Sequence, residues 1–230
     1  MSEETSSSTN SQNVVGSQAT SKSIASTQRS MSEPLVFVYA DESCLGNQYK
    51  DRARPGAAAG MVEFFHPQKG WVRRDFWTSE PDTTNNRMAI RSALIPLGAL
   101  KTESRVVFTT DSRYLVDAMT QWIHGWAARG WQRKEGPVEN LEAWKALMPV
   151  ARRHKLQWRW VKGHNGHAQN EYANYLATQA AAKQTNSDGL VDSGFDRWLA
   201  QEQEKERYLD FFPMPPTNFE FKPARTLPAR

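Results

Sequence analysis

"PLVFVYADESCLGN" (Pro34–Asn47) decides how the rest of the chain is read. Leu35 to Ala40 is a short apolar run of β-formers, the pattern of a buried strand. It stops at Asp41, and turn residues follow. Ligands of open α/β sheets bind just beyond the carboxyl ends of such strands. An acid placed there is a candidate for chemistry as well as for a turn.

Outward from this stretch the pattern alternates between strand and helix. "GAAAGMVEFF" (Gly56–Phe65) and "GWVRRDFWTS" (Gly70–Ser79) read as two strands joined by the turn chemistry of "HPQKG", hence antiparallel. A helix is predicted from Asn85. Pro96 lies within it, at a cost of roughly 3 kcal/mol for an internal proline, so a kink or an end near Leu94 is expected. "RVVFTTD" (Arg105–Asp111) is a fourth strand, with Ser112 placed to cap the next helix. "TQWIHGWAARGWQRK" reads as a short helix and loop. "VENLEAWKALMPVARRH" is helical with Asn140 as its cap. "KLQWRWVKG" is a fifth strand, and "NEYANYLATQAAAK" an alanine-rich helix. This order predicts an α/β fold: one mixed sheet with helices on its faces.

That core spans residues 34–183. Residues 1–33 are rich in Ser, Thr, Asn and Gln. They bury too little apolar area to offset their ordering entropy, so a disordered tail is expected rather than a signal peptide. Residues 184–230 read as a linker, an amphipathic helix with Phe195, Trp198 and Leu199 on one face, and a proline-rich extended tail. The helix either engages a protein partner or covers a face or edge of the sheet. No apolar run approaches the roughly 20 residues a bilayer span needs. The single cysteine, Cys44, excludes an internal disulfide and suits a reducing, cytoplasmic setting. The net charge of +4 is compatible with a nucleic-acid partner without requiring one.

Asp111 ends the fourth strand as Asp41 ends the first. If these strands are neighbours, the two carboxylates can share a hard cation such as Mg²⁺, which takes oxygen ligands. Otherwise Asp41 begins a turn and Asp111 fixes a helix start.

The motifs "ADESCLGN", "TTNNRM", "TTDSRYL", "QWIHGWAARGW" and "WVKGHNGHAQNEYANYLA" occur in that order between Leu35 and Lys183. In content and spacing they resemble the type 1 ribonuclease H family. The resemblance implies an RNase H-like mixed five-stranded sheet flanked by helices, acting as a monomer. It also implies metal-dependent cutting of the RNA strand of RNA–DNA hybrids by two Mg²⁺ ions (or Mn²⁺) on an Asp-Glu-Asp-Asp set. Asp41 matches the first aspartate and Asp111 the third ligand. The glutamate position holds Ala89 and the last aspartate position holds Asn174, which keeps only an amide oxygen. Formal ligand charge therefore falls from −4 to −2. The neighbours of position 89 on its helical face, Asn85, Asn86, Ser92 and Ala93, are not acidic. Glu171 reads better as a first-turn acid favoured by the helix dipole. Glu42 adjoins Asp41, but successive strand side chains point to opposite faces, so it needs a local bulge to help. Weak or lost cleavage is the expectation.

The same resemblance implies proton transfer or product release by His164, with His167 structural. It implies contacts of Asn47, Asn85 and Asn86 with the minor groove of the hybrid, where 2′-hydroxyls distinguish RNA. Thr84 and Asn140 match a pocket for a DNA-strand phosphate, whose usual arginine is Asp82 here. Arg113 replaces a common glutamine and adds a phosphate contact. Trp122, Trp126 and Trp131 match a protruding basic arm, thinned by Ala127 and Ala128 to Arg129, Arg133 and Lys134. Two other readings stand beside the enzyme: a catalytically inactive module binding hybrid or double-stranded RNA, and an interaction protein working through its C-terminal extension.

Overall fold

Hydrogen bonding from a neighbouring strand carries the first strand beyond its apolar run. In the computed structural model, which describes residues 33–46, 53–163, 165–212 and 219–229, β1 spans Leu35–Cys44. It pairs in parallel with β4 (Arg105–Thr110) from Leu35↔Arg105 to Ala40↔Thr110. On its other side it pairs antiparallel with β2 (Gly56–His66), and that ladder runs unbroken from Phe37↔Glu63 to Cys44↔Gly56. β3 (Gly70–Glu80) continues the antiparallel meander, and β7 (Lys155–Trp160) lies parallel to β4. The predicted mixed five-stranded sheet is therefore present. A sixth strand, β8 (Val191–Asp192), is added by the C-terminal extension beside β3, giving the order β7-β4-β1-β2-β3-β8.

Strand alternation splits the core in two. Val36, Val38 and Ala40 face one layer, with Val106, Phe108 and Leu156. This layer is covered by α1 (Asn85–Ala99), by the helical stretch α2 (Arg113–Asp117), a π-helical turn (Ala118–Trp122) and α3 (Ile123–Ala128), and by α4 (Leu141–Ala151). Between α3 and α4 a small hairpin pairs β5 (Gln132–Arg133) with β6 (Gly136–Pro137). Phe37, Tyr39 and Met61 face the other layer, made by α5 (Ala168–Lys183) and α6 (Phe195–Gln203).

Several local expectations are corrected. α1 does not end near Leu94; it continues through Pro96 to Ala99. Leu97, fully buried, repays the lost hydrogen bond by filling the core. Ser112 occupies the N-cap position of α2 but makes no capping bond, because its hydroxyl serves Glu42 instead. Asn140 heads α4 in a left-handed conformation (φ 55°), also without a side-chain cap. The conformation itself is one asparagine tolerates.

The extension packs on the chain's own body. Phe195 is fully buried, Trp198 stacks near it at 6.0 Å, and Phe211, Phe219 and Phe221 join the same cluster. Residues 34–230 form one compact unit. Among the described residues no helix is long and apolar enough to cross a membrane. The expected tail over residues 1–33 lies, but for Glu33, outside the described residues.

Candidate active site

The parallel pairing Ala40↔Thr110 brings the next residues, Asp41 and Asp111, to one corner. Asp41 is 6% exposed. Burial raises its pKa, and the Asp111 charge raises it further. The two carboxyl groups therefore stand close enough to disfavour charge on both at once. Asp41 Oδ1 also accepts the Glu42 N–H at 2.7 Å.

Glu42 belongs to this corner, which the sequence argument had set aside. β1 has no bulge at this point, and alternation sends Glu42 to the α1 face, where Ala89 is fully buried. Even so, its carboxylate lies close enough to Asp111 and Asp41 for all three charges to act on one another. Desolvation first, then Asp111, push the Glu42 pKa up to about 8, while a hydrogen bond from the Ser112 hydroxyl opposes the rise. Glu42 Oε2 is buried without a hydrogen-bond donor.

Gly163 shapes the opposite wall. A Cβ at that position would collide with Asp111 Oδ2, so glycine is what lets the loop close on the carboxylate. Trp160 ends β7 with its Nε1–H donating to the Asp111 carbonyl at 3.0 Å. Arg113 stacks over that ring, its guanidinium carbon 4.0 Å from the centroid.

Asn174 lies half-buried on α5, the helix packed on the face toward which Asp41 points. Glu171 sits in the first turn of α5 as expected, where its charge acts on Tyr208 of the extension. His167 caps α5, accepting from the Asn170 N–H at 3.4 Å, with its ring 5.6 Å from Tyr39. Burial and Arg159 hold it below the ordinary imidazole range. His164 and Asn47 lie outside the described residues.

Thr84 is the N-cap of α1, its hydroxyl accepting from the Arg87 N–H at 3.2 Å, and Asn85 and Asn86 stand exposed beside it. Asp82 does not face this helix entrance alone. It accepts the Arg54 N–H at 3.1 Å, with the guanidinium 3.8 Å away, so a displaced arginine balances its charge. In the arm, Trp126 packs inward at 8% exposure while Trp122 remains 37% exposed. Arg129, Gln132, Arg133 and Lys134 line one open groove there. Asn140, at the head of α4, is not drawn into the carboxylate corner.

Among the described residues no three acid, histidine or cysteine side chains already form a closed metal cage. The donor set nevertheless fits a hard cation: all oxygen, with Asp41 buried and Glu42 and Asp111 half-buried, and holding an acceptor that nothing else satisfies.

Comparison with known proteins bears on this corner. Residues 33–182 match the family model described as RNase H. Ribonuclease H of Shewanella halifaxensis is 40% identical over 168 residues, covering 72% of this chain and 96% of its own. Ribonuclease H of Vibrio cholerae is 42% identical over 155 residues, 66% of this chain and 92% of its own. The crystal structure of LC9-RNase H1, a type 1 RNase H with the type 2 active-site motif, aligns with TM-score 0.78 at 51% identity. It covers 86% of this chain and 95% of that one. The match extends over well more than half of the sequence and nearly the whole length of these relatives, and this chain belongs to the RNase H family.

Proposed function

We propose that the chain is an active ribonuclease H, hydrolysing the RNA strand of RNA–DNA hybrids as a monomer in the cytoplasm. Its divalent cations, Mg²⁺ or Mn²⁺, would be held by Asp41, Glu42 and Asp111, with the Asn174 amide as a neutral fourth ligand. The observation that carries this reading is the buried Glu42 Oε2 that no donor satisfies, next in the chain to Asp41 and across the β1–β4 pairing from Asp111. Weak or lost activity was expected from a ligand charge of −2; with Glu42 the set carries −3. A carboxylate missing from α1 is offset by one rising from β1 toward the same face. The structure 51% identical to this chain is of a type 1 enzyme whose active-site motif is that of type 2, which supports a rearranged site over a lapsed one.

When bound, the cations supply an activated water and charge stabilisation at the leaving oxygen. The chain's residues do the rest. Ser112 orients Glu42, and the close approach of Gly163 fixes Asp111. Asn47, Asn85 and Asn86 read the minor groove and its 2′-hydroxyls, and Thr84 helps hold a DNA-strand phosphate. Asn140 assists at the DNA strand, Trp122 and the basic arm contact its backbone, and His164 moves a proton at the leaving group.

A labelled RNA–DNA hybrid incubated with the purified chain in each metal tests the reading. Cleavage should require divalent cation, vanish in Asp41→Asn, and fall roughly 100-fold in Glu42→Gln. Unchanged cleavage in Glu42→Gln would remove Glu42 from the ligand set. Salt-dependent hybrid binding without cleavage in any metal would favour the binding-module reading.

A further inference from the structure

We propose that Arg113 grips a non-bridging oxygen pair of the cleaved strand at or next to the scissile phosphate, and that Trp160 is the positioning residue that holds it there. The inference rests on the ribonuclease reading and deepens it.

Placement comes first. Thr110 pairs with Trp160 across β4 and β7, Asp111 follows Thr110, and Arg113 opens α2 two residues later. Trp160 is anchored by its Nε1–H on the Asp111 carbonyl, yet 40% of it remains exposed. The guanidinium lies over that exposed ring at 4.0 Å, whereas the other arginine–ring contacts lie between 5.0 and 6.0 Å. Stacking uses the face of a guanidinium and leaves its edge donors free, directed away from the ring.

Charge comes second. Arg54, Arg73, Arg74, Arg87 and Arg133 each pair with a carboxylate. Among the described residues Arg113 forms no such pair, and its one contact of this kind is the Trp160 ring. Its charge is not used up in holding the fold. A phosphodiester approaching Asp41, Glu42 and Asp111 meets like charge, and a planar fork of N–H donors two residues on from Asp111, seated on the ring that Asp111 anchors, suits two phosphate oxygens. A flexible lysine would offer the charge without the flat seat or the paired donors.

The full chain and a hybrid with a labelled RNA strand provide the test, with cleavage measured in Mg²⁺ and binding measured without divalent cation over a salt series. Arg113→Gln should lower kcat/KM about 10-fold and reduce the slope of log binding constant against log salt by about one. Arg113→Lys should restore the slope but not the full kcat/KM. Trp160→Leu should cost about as much as Arg113→Lys and add nothing in the Arg113→Gln background, with Trp160→Phe as the milder variant if folding suffers. A single neutral methylphosphonate next to the scissile position should slow the wild type and leave Arg113→Gln nearly unaffected. Wild-type slope and kcat/KM in Arg113→Gln would overturn the proposal, as would fully additive losses from the two sites. If the wild type binds but does not cleave, the ribonuclease reading fails, while the salt slopes alone still decide whether Arg113 holds a phosphate.

Discussion

Two sets of buried acids sit on the same sheet and behave in opposite ways. Asp75 on β3 is 3% exposed, and burial raises its pKa. Its two oxygens accept from the Tyr172 hydroxyl at 2.6 Å, the Ser193 hydroxyl at 2.6 Å and the Gly194 N–H at 2.9 Å. Every one of those donors comes from α5 or the extension, so the acid joins β3 to what packs on it. Asp41 is buried as well, with Glu42 and Asp111 half-buried, but Asp41 faces another acid and Glu42 Oε2, itself shut off from solvent, has no donor at all. A buried acid supplied with donors holds a fold together. One left short of them holds room for something positive.

The contrast can be broken first at the aspartates. Asp111→Asn, like Asp41→Asn, should lower hybrid cleavage roughly 10³-fold while leaving the circular dichroism spectrum intact. A spectrum that collapses instead would make these acids structural. Asp75→Ala should do the reverse: thermal unfolding falls by about 3 kcal/mol, some 6–12 °C, because three donors lose their acceptor. Activity per folded molecule should be preserved at low temperature. Gly163→Ala sharpens the comparison. Pushing Asp111 aside should cost 10- to 100-fold in kcat with little change in Tm, checked by steady-state kinetics and calorimetry together.

The smallest effect concerns pH. The Glu42 pKa of about 8 in the folded chain lies well above the ordinary carboxylate value. In metal-free protein its burial is therefore harmless below about pH 4 and increasingly costly as pH rises through 8. Glu42→Gln should raise the metal-free Tm at pH 8 by about 2–4 °C, equivalent to ~1 kcal/mol. The gain should shrink at pH 5 and on adding Mg²⁺. A gain independent of pH would show that the carboxylate is not strained.

The fold was legible because its strands are apolar and punctuated, and because Asp41 and Asp111 follow the last paired residues of two neighbouring parallel strands. Pro96 misled, since a local penalty was weighed without the burial of Leu97 that offsets it. Glu42 was legible only as a conditional candidate. Alternation fixes where a Cβ points but not where three further bonds carry a carboxylate at the end of a strand. Ser112 looked like a cap for the same reason: its partner lies 70 residues earlier, beyond any local pattern. The Asp75 clamp carried no signal either, because its donors come from 97 to 119 residues later. Asn174 was legible as a departure from the family pattern, and its amide gains meaning only beside the acid on β1.

The last residues of the chain carry a different kind of consequence. β7 is an edge strand. The tail runs beside it, with the Ala224 N–H on the Leu156 carbonyl at 2.7 Å and the Lys222 N–H on Gln157 Oε1 at 2.8 Å. Arg152 ties down the carbonyls of Pro228 and Ala229. A bare strand edge is a template on which a second molecule can add its own strand. A chain cut before residue 219 keeps every group assigned to catalysis, so it should work when dilute. When concentrated it should self-associate and precipitate, and yield, shelf life and tolerance of crowding are where this short strap makes itself felt.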